Sequence, residues 1–192
     1  HNSAIYPGME KMRYWMPVDV YIGGDEHNTL HLLYSRFIYL FLYDLGYVPK
    51  GISEPYQKRL SHGVLLGPDG TRMSKTTGNV IVPDELVERY GADVLRTYLM
   101  FMGPFDATMA WNERALLGVK RFLDRLAAYV KANSGRHPYS STQVKVTVDR
   151  LLKSAGEDIQ SLKFNTAVAK QMETLNTLED SQEPIDNMTL QK

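Results

Sequence analysis

Two cations and a hydroxyl stand close together in the glycine-flanked segment 72–76, which has the sequence RMSKT. Charge grows on the phosphoryl oxygens during nucleotidyl transfer, and cations held there in advance stabilise it. Lys75 would stabilise that charge on the pyrophosphate side, and Arg72 would support it. Met73 would anchor the loop on an apolar surface beside Ser74. Taken alone, such a segment is more typical of a solvated basic loop.

A second candidate is the segment 23–31, GGDEHNTLH, which follows a predicted strand and opens a predicted helix. In open α/β sheets, ligands bind at the carboxyl ends of the strands. A glycine such as Gly24 lets the backbone approach a ligand closely. Glu26 can accept hydrogen bonds from a ribose, and His27 can contact adenine or ribose. His31 lies one helical turn beyond His27. The alternatives are ordinary turn chemistry and a partly buried histidine.

The same histidines form an H-x-x-x-H pair, which has the spacing of metal ligands. In zinc proteases, the catalytic glutamate follows the first histidine, whereas Glu26 precedes His27. The chain has no cysteine, and no other histidine is an evident ligand. We therefore expect no protein-bound metal. A metal hydrolase remains an alternative that would contain stoichiometric zinc.

These segments need a scaffold, and the apolar pattern predicts an α/β one. Alternating apolar residues predict a strand over 18–22, and helical spacing predicts a buried helix over about 28–45. Another short buried strand is predicted at 62–66, followed by a turn at 67–70. Residues 1–16 look irregular. A strand, a glycine turn and a helix are half of a doubly wound sheet, so the expected fold is the second half of a Rossmann-type domain.

The remainder of the chain is predicted to be helical. Pro83 suits the first turn of a helix that Gly91 ends, and a second helix follows to about residue 102. After Trp111, the i, i+3, i+4 spacing of apolar residues indicates a partial antiparallel helical bundle. Its predicted helices cover about 116–130, 144–162 and 164–175. The polar tail after Ser181 is expected to be frayed.

Composition excludes several classes of protein. The 22 Lys and Arg residues balance the 22 Asp and Glu residues, so the chain lacks the basic field of a non-specific nucleic-acid binder. The absence of cysteine excludes disulfides and a cysteine nucleophile. No apolar run approaches the roughly 20 residues of a membrane span, so no membrane partner is expected. No signal peptide is visible. The lack of cysteine is compatible with a cytoplasmic protein.

The two candidate segments together resemble a known family. RMSKT resembles the K-M-S-K-S signature of class I aminoacyl-tRNA synthetases, and 23–37 resembles the adenosine-site segment of the leucyl-tRNA synthetases. The resemblance is colinear over about residues 1–180. Further matches lie at 14–19, 54–55, 61–63, 78–84, 90–96, 121–123 and 162–167.

This resemblance implies activation of leucine with ATP and Mg²⁺ to leucyl-adenylate, followed by transfer to tRNA(Leu). It implies catalytic roles for Lys75 and Arg72 and adenosine contacts at the glycine turn. Gly63 and Val64 would approach adenine through their backbone. The implied ATP-binding set is Gly24, Glu26, His27, His31, Gly63, Val64, Met73, Ser74 and Lys75.

The chain also departs from the family pattern. Arg72 and Thr76 replace a lysine and a serine, and a planar guanidinium holds phosphate differently from an ammonium. The family's H-I-G-H signature and its editing domain are absent, and the chain lacks an initiating methionine. We therefore expect an internal fragment that is inactive alone and whose partners include the remaining parts of the same polypeptide.

The resemblance also implies how the chain is divided. The expected divisions are 1–70 for the second half of the catalytic fold, 71–115 for the signature loop and tRNA stem-contact region, and 116–192 for a partial anticodon-binding bundle. The H-x-x-x-H helix start and the Leu-Leu-Tyr run at 32–34 favour leucine as the substrate. A related synthetase for isoleucine, valine or methionine and a non-catalytic paralogue remain alternatives.

Overall fold

The computed structural model describes residues 8–191. The chain divides after Gly63 into two compact units. The first unit contains a β–α–β arrangement, and the second combines a short strand pair with helices.

In the first unit, strand β1 (Val18–Gly23) is followed by a short 3-10 helix (Asp25–Asn28), helix α2 (His31–Asp44) and strand β2 (Tyr56–Ser61). The strands are parallel, with Val18 opposite Tyr56 and Gly23 opposite Ser61. Parallel strands need a crossover connection, and α2 supplies it. The predicted sequence of strand, glycine turn and helix is therefore confirmed.

Two predictions for this unit are wrong. Residues 9–15 were expected to be irregular but form helix α1 (Met9–Trp15), which has good helix formers and no buried residue; residues 1–7 lie outside the described part. The strand expected at 62–66 lies earlier, at β2, and only Leu65–Leu66 of that segment is extended as β3. Polar side chains at 57–59 conceal β2, because they break the apolar pattern.

The prediction that α2 is a buried helix is also wrong. Within this helix, only Leu32 and Tyr39 are buried. A pair of strands is too narrow to cover more than one stripe of a helix, so the other apolar side chains meet solvent. Those exposed on α2 and at its ends are Leu30, Leu33, Tyr34, Phe37, Ile38, Leu40, Phe41 and Leu45.

In the second unit, β3 (Leu65–Leu66) pairs in parallel with β4 (Met109–Ala110). Helices α3 (Pro83–Tyr90) and α4 (Ala92–Phe101) lie between these strands in sequence. The long helices follow as predicted: α5 (Glu113–Asn133), α6 (Thr142–Gln160) and α7 (Phe164–Ser181). Asn112 and Ser141 cap α5 and α6 by accepting hydrogen bonds from their first backbone N–H groups.

The main core of this unit joins α3, α4 and α5. Its buried members are Leu86, Val94, Leu95, Tyr98, Trp111, Leu116 and Val119. An apolar cleft of about 580 Å³ lies further along the long helices, bordered by residues such as Leu126, Leu152 and Ile159. No helix in residues 8–191 is long and apolar enough to span a membrane.

The tail after Ser181 is not frayed as predicted. It forms helix α8 (Asn187–Leu190), which Asp186 caps by accepting from the backbone nitrogen of Thr189. Ile185 is 1% exposed and packs in a second cluster with Val144 and Val148. The burial of Ile185 and hydrogen bonds such as that between the hydroxyls of Ser140 and Thr189 together hold the tail against the unit.

Candidate functional site

The glycine turn lies at the carboxyl end of β1. Gly24 is buried, and the carboxylate of Glu26 folds back over it. A Cβ atom at position 24 would collide with that carboxylate. The turn therefore requires glycine if Glu26 is to keep this position.

The histidines predicted for the site lie together beside this turn. The ring centroids of His27 and His31 are 6.1 Å apart, with the rings perpendicular. Tyr21 of β1 stacks on His31 at 5.6 Å. His27 Nδ1 is buried and makes no hydrogen bond to any residue in the described part of the chain. An exposed and a partly buried imidazole thus border one surface.

Arg59 of β2 supports the turn from the neighbouring strand, and sequence reasoning missed it. Its guanidinium donates to the carbonyl oxygen of Gly24 at 2.8 Å and to Asp25 Oδ1 at 3.3 Å. The hydroxyl of Ser61 donates to the same carboxylate oxygen at 2.5 Å. The hydrogen bonds from Ser61 and then Arg59 lower the pKa of Asp25 below its ordinary value. The sequence offered no signal for Arg59, because the polar residues 57–59 conceal the strand that carries it.

The predicted phosphate-binding residues lie on a loop of the second unit, residues 67–79, which we call the RMSKT loop. Its first turn is closed by a 2.8 Å hydrogen bond from the backbone nitrogen of Gly67 to the carbonyl oxygen of Thr71. Met73 is partly buried against the main core cluster. Arg72 and Lys75 are exposed. The loop therefore holds an apolar side chain inward while its cations face solvent.

Gly63 and Val64 lie at the division between the units. Gly63 is the last residue of the first unit, and its carbonyl oxygen lies 2.7 Å from His62 Nδ1. Val64 begins the second unit, where its carbonyl oxygen accepts from the backbone nitrogen of Met109 at 3.0 Å. The predicted residues at the glycine turn, Gly24, Glu26, His27 and His31, lie in the first unit. Those of the RMSKT loop, Arg72, Met73, Ser74 and Lys75, lie in the second.

Residues 8–191 contain no group of three or more His, Asp or Glu side chains arranged to hold a metal ion.

Comparison with known proteins shows which proteins this chain is similar to. The model of the family "tRNA synthetases class I (I, L, M and V)" matches residues 6–112. A leucine–tRNA ligase of Alkaliphilus oremlandii (strain OhILAs) is 45% identical over 180 residues, which are 94% of this chain and 22% of that protein. The chain therefore spans about a fifth of the length of this relative.

Solved structures agree with the family. A ternary complex of LeuRS from Agrobacterium radiobacter K84 with tRNA and LeuAMS superposes with a TM-score of 0.75 at 31% identity, covering 86% of this chain and 23% of that one. Methionyl-tRNA synthetase of Mycobacterium tuberculosis in complex with methionyl-adenylate shares the fold, with a TM-score of 0.63 at 22% identity over 88% of this chain and 34% of that one. With more than half of its residues matched by the family model, this chain belongs to the class I tRNA synthetases of the isoleucine, leucine, methionine and valine group.

Proposed function

We propose that this chain is part of a leucine–tRNA ligase, which activates leucine with ATP to leucyl-adenylate and pyrophosphate and then transfers leucine to tRNA(Leu). The observation that carries the proposal is the 45% identity to a leucine–tRNA ligase over 94% of the chain. The RMSKT loop and the glycine turn both lie within the matched family segment, residues 6–112.

The glycine turn supplies the adenosine contacts. The Glu26 carboxylate, held over Gly24, accepts hydrogen bonds from ribose hydroxyls. His27 Nδ1 is buried without a partner in residues 8–191, and a ligand group that pairs with it would satisfy it. His31 lies beside it, toward the ribose and the amino acid. Gly63 and Val64 approach adenine through their backbone.

The RMSKT loop supplies the phosphate contacts. The leucine carboxylate attacks the α-phosphorus, and negative charge builds up on the departing pyrophosphate. Lys75 stabilises that charge, and Arg72 supports it with a planar fork. Met73 keeps the loop seated on the core cluster beside Ser74. Mg²⁺ would enter with the triphosphate and would neutralise part of its charge.

The remaining parts of the proposal concern the rest of the protein. Residues 1–70 would be the second half of a Rossmann-type catalytic fold, 71–115 the signature loop and tRNA stem-contact region, and 116–192 a partial anticodon-binding bundle. The first half of the catalytic domain and the editing domain would belong to the same cytoplasmic polypeptide. The isolated chain would then neither activate leucine nor charge tRNA.

Related activities remain as alternatives. The family model covers isoleucine, leucine, methionine and valine enzymes together, so the choice of leucine depends on the relative of higher identity. A non-catalytic paralogue would be expected to lose the charged loop or the adenosine contacts. This chain retains Lys75, Glu26 and His27, which favours an enzyme.

Amino-acid-dependent ATP–pyrophosphate exchange tests the proposal. The complete gene product would be assayed with leucine, isoleucine, valine and methionine, with the isolated 192-residue chain alongside. Exchange with leucine in the complete protein alone is the expected result. Exchange with a different amino acid would overturn the specificity, and silence with all four in a folded protein would favour the paralogue. Exchange by the isolated chain would contradict its expected inactivity.

A further inference from the structure

We propose that Asn79 is a positioning residue that holds the RMSKT loop in one conformation before ATP binds, with Asp69 as its anchor. The inference rests on the proposed function, because it assigns Asn79 a role through Lys75. Asn79 itself lies at the end of the loop, where its side chain is partly buried.

The carbonyl oxygen of the Asn79 side chain holds the second half of the loop, at Ser74 and Thr77. Oδ1 accepts from the backbone nitrogen of Ser74 at 2.9 Å and from the hydroxyl of Thr77 at 2.8 Å. The Thr77 hydroxyl also lies 3.0 Å from the carbonyl oxygen of Ser74. These contacts fix the backbone on both sides of Lys75.

The amide nitrogen of the same side chain holds the first half of the loop, at Thr71 and Arg72. Nδ2 lies 2.9 Å from the hydroxyl oxygen of Thr71 and 3.3 Å from the carbonyl oxygen of Arg72. The Asn79 side chain therefore contacts residues that precede and follow the cationic segment. None of these hydrogen bonds involves the Lys75 ammonium, and Lys75 is exposed.

Asp69 anchors this arrangement from the first turn. Its carboxylate accepts from the backbone nitrogen of Thr71 at 3.0 Å and from the Thr71 hydroxyl at 2.8 Å. Asn79 Nδ2 lies 3.3 Å from Asp69 Oδ1. The hydrogen bonds from Thr71 favour the ionised carboxylate and lower the pKa of Asp69 below its ordinary value.

Gly67 leaves the space that this contact needs. A Cβ atom at position 67 would lie 2.8 Å from Asp69 Oδ1 and 2.9 Å from Asn79 Nδ2. Gly67 is buried, so a larger residue would push the carboxylate and the amide apart. Glycine at position 67 therefore allows the close approach of the Asp69 carboxylate and the Asn79 amide.

An ordered RMSKT loop should lower the entropic cost of the activation step. A free loop loses conformational freedom when it closes over a triphosphate, and that loss opposes the transition state. Hydrogen bonds that order the loop beforehand remove part of this cost. Loss of Asn79 should therefore slow activation without changing the affinity for leucine.

Kinetics of the complete gene product test this inference. Asn79→Ala removes the side-chain contacts, and the isosteric Asn79→Asp replaces the donor by a carboxylate that faces Asp69. Each should lower kcat for leucine-dependent pyrophosphate exchange about tenfold or more, with KM for leucine nearly unchanged. The double variant with Asn79→Asp and Asp69→Asn again places one amide and one carboxylate at these two positions. It should recover part of the lost kcat. Asn176→Ala, which removes a side-chain hydrogen bond on α7, is the matched control.

Lys75→Ala separates the inference from the proposed function. If it slows exchange strongly while both Asn79 variants keep the normal kcat, the function stands and the role of Asn79 is overturned. If Lys75→Ala leaves kcat for pyrophosphate exchange unchanged, the proposed role of Lys75 on the phosphates is wrong. Amide hydrogen exchange over 71–79 then still tests the positioning: faster exchange in Asn79→Ala than in Asn176→Ala supports it, and equal exchange overturns it.

Discussion

The phenol oxygen of Tyr98 accepts a 2.9 Å hydrogen bond from the backbone nitrogen of Asn112. Tyr98 lies on α4 and is 1% exposed, and its ring packs edge-on against Trp111 with centroids 4.9 Å apart. The side chain of Asn112 in turn caps α5. Helix α4 is therefore tied to the start of α5, the first long helix.

Tyr98→Phe should destabilise the protein on the order of 1–3 kcal/mol, because the partly buried N–H of Asn112 loses its acceptor. Urea denaturation measures the change in the free energy of unfolding. Tyr139→Phe is the control, since Tyr139 is 61% exposed and should change stability by less than about 0.5 kcal/mol. Equal stability of Tyr98→Phe and the unmodified protein would mean that the hydrogen bond contributes nothing.

Phe122→Ala should destabilise the helical unit by roughly 3–5 kcal/mol, since this side chain is 6% exposed on α5 and its removal leaves a cavity. The measurement is again chemical denaturation. Leu117→Ala, on the same helix and 41% exposed, should cost clearly less. Similar losses at both positions would show that the difference in burial between Phe122 and Leu117 does not determine the effect.

Glu26→Gln should raise KM for ATP in pyrophosphate exchange, because a neutral amide accepts ribose hydrogen bonds more weakly than a carboxylate. The loss expected for one charged hydrogen bond is about tenfold. Glu88→Gln, an exposed change on α3, serves as the control. An unchanged KM for ATP would remove the ribose contact from the proposed site.

Asp25 should titrate below its ordinary pKa in the folded protein, because Ser61 and Arg59 donate hydrogen bonds to its ionised carboxylate. A depressed folded pKa stabilises the protein above the unfolded pKa, and this contribution is lost as the pH falls through the folded value. Ser61→Ala should raise the pKa of Asp25 toward its ordinary value.

Carboxyl NMR titration measures this shift. Asp69 is the internal control, because its own pKa is lowered by Thr71 and should not respond to Ser61→Ala. The stability difference between Ser61→Ala and the unmodified protein should be present at neutral pH and vanish in strong acid. A pKa of Asp25 that does not move would show that Arg59 alone is responsible.

Local pattern predicted much of the scaffold. The glycine turn, α2 and the long helices followed from apolar spacing and from breakers such as Gly91, because these signals lie within one element. Strand β2 was missed because residues 57–59 are polar and break the apolar pattern. Helix α8 was missed because its order depends on contacts with residues distant in sequence, such as those that bury Ile185. Tertiary packing, which a linear pattern does not encode, decided both.

The site shows the same division. Residue type and spacing singled out Lys75, Glu26 and His27, whose chemistry is a property of the side chain itself. The supporting residues Arg59 and Asn79 were given no role, because their hydrogen bonds exist only after β2 pairs with β1 and the RMSKT loop folds. Supporting residues of this kind become recognisable only in three dimensions.

The apolar residues that α2 leaves in contact with solvent have a practical consequence. Phe37, Ile38 and Phe41 are 69%, 53% and 54% exposed, and contiguous patches of this kind are aggregation liabilities. Salts that are excluded from protein surfaces strengthen apolar association, so ammonium sulfate should precipitate this chain at low concentration.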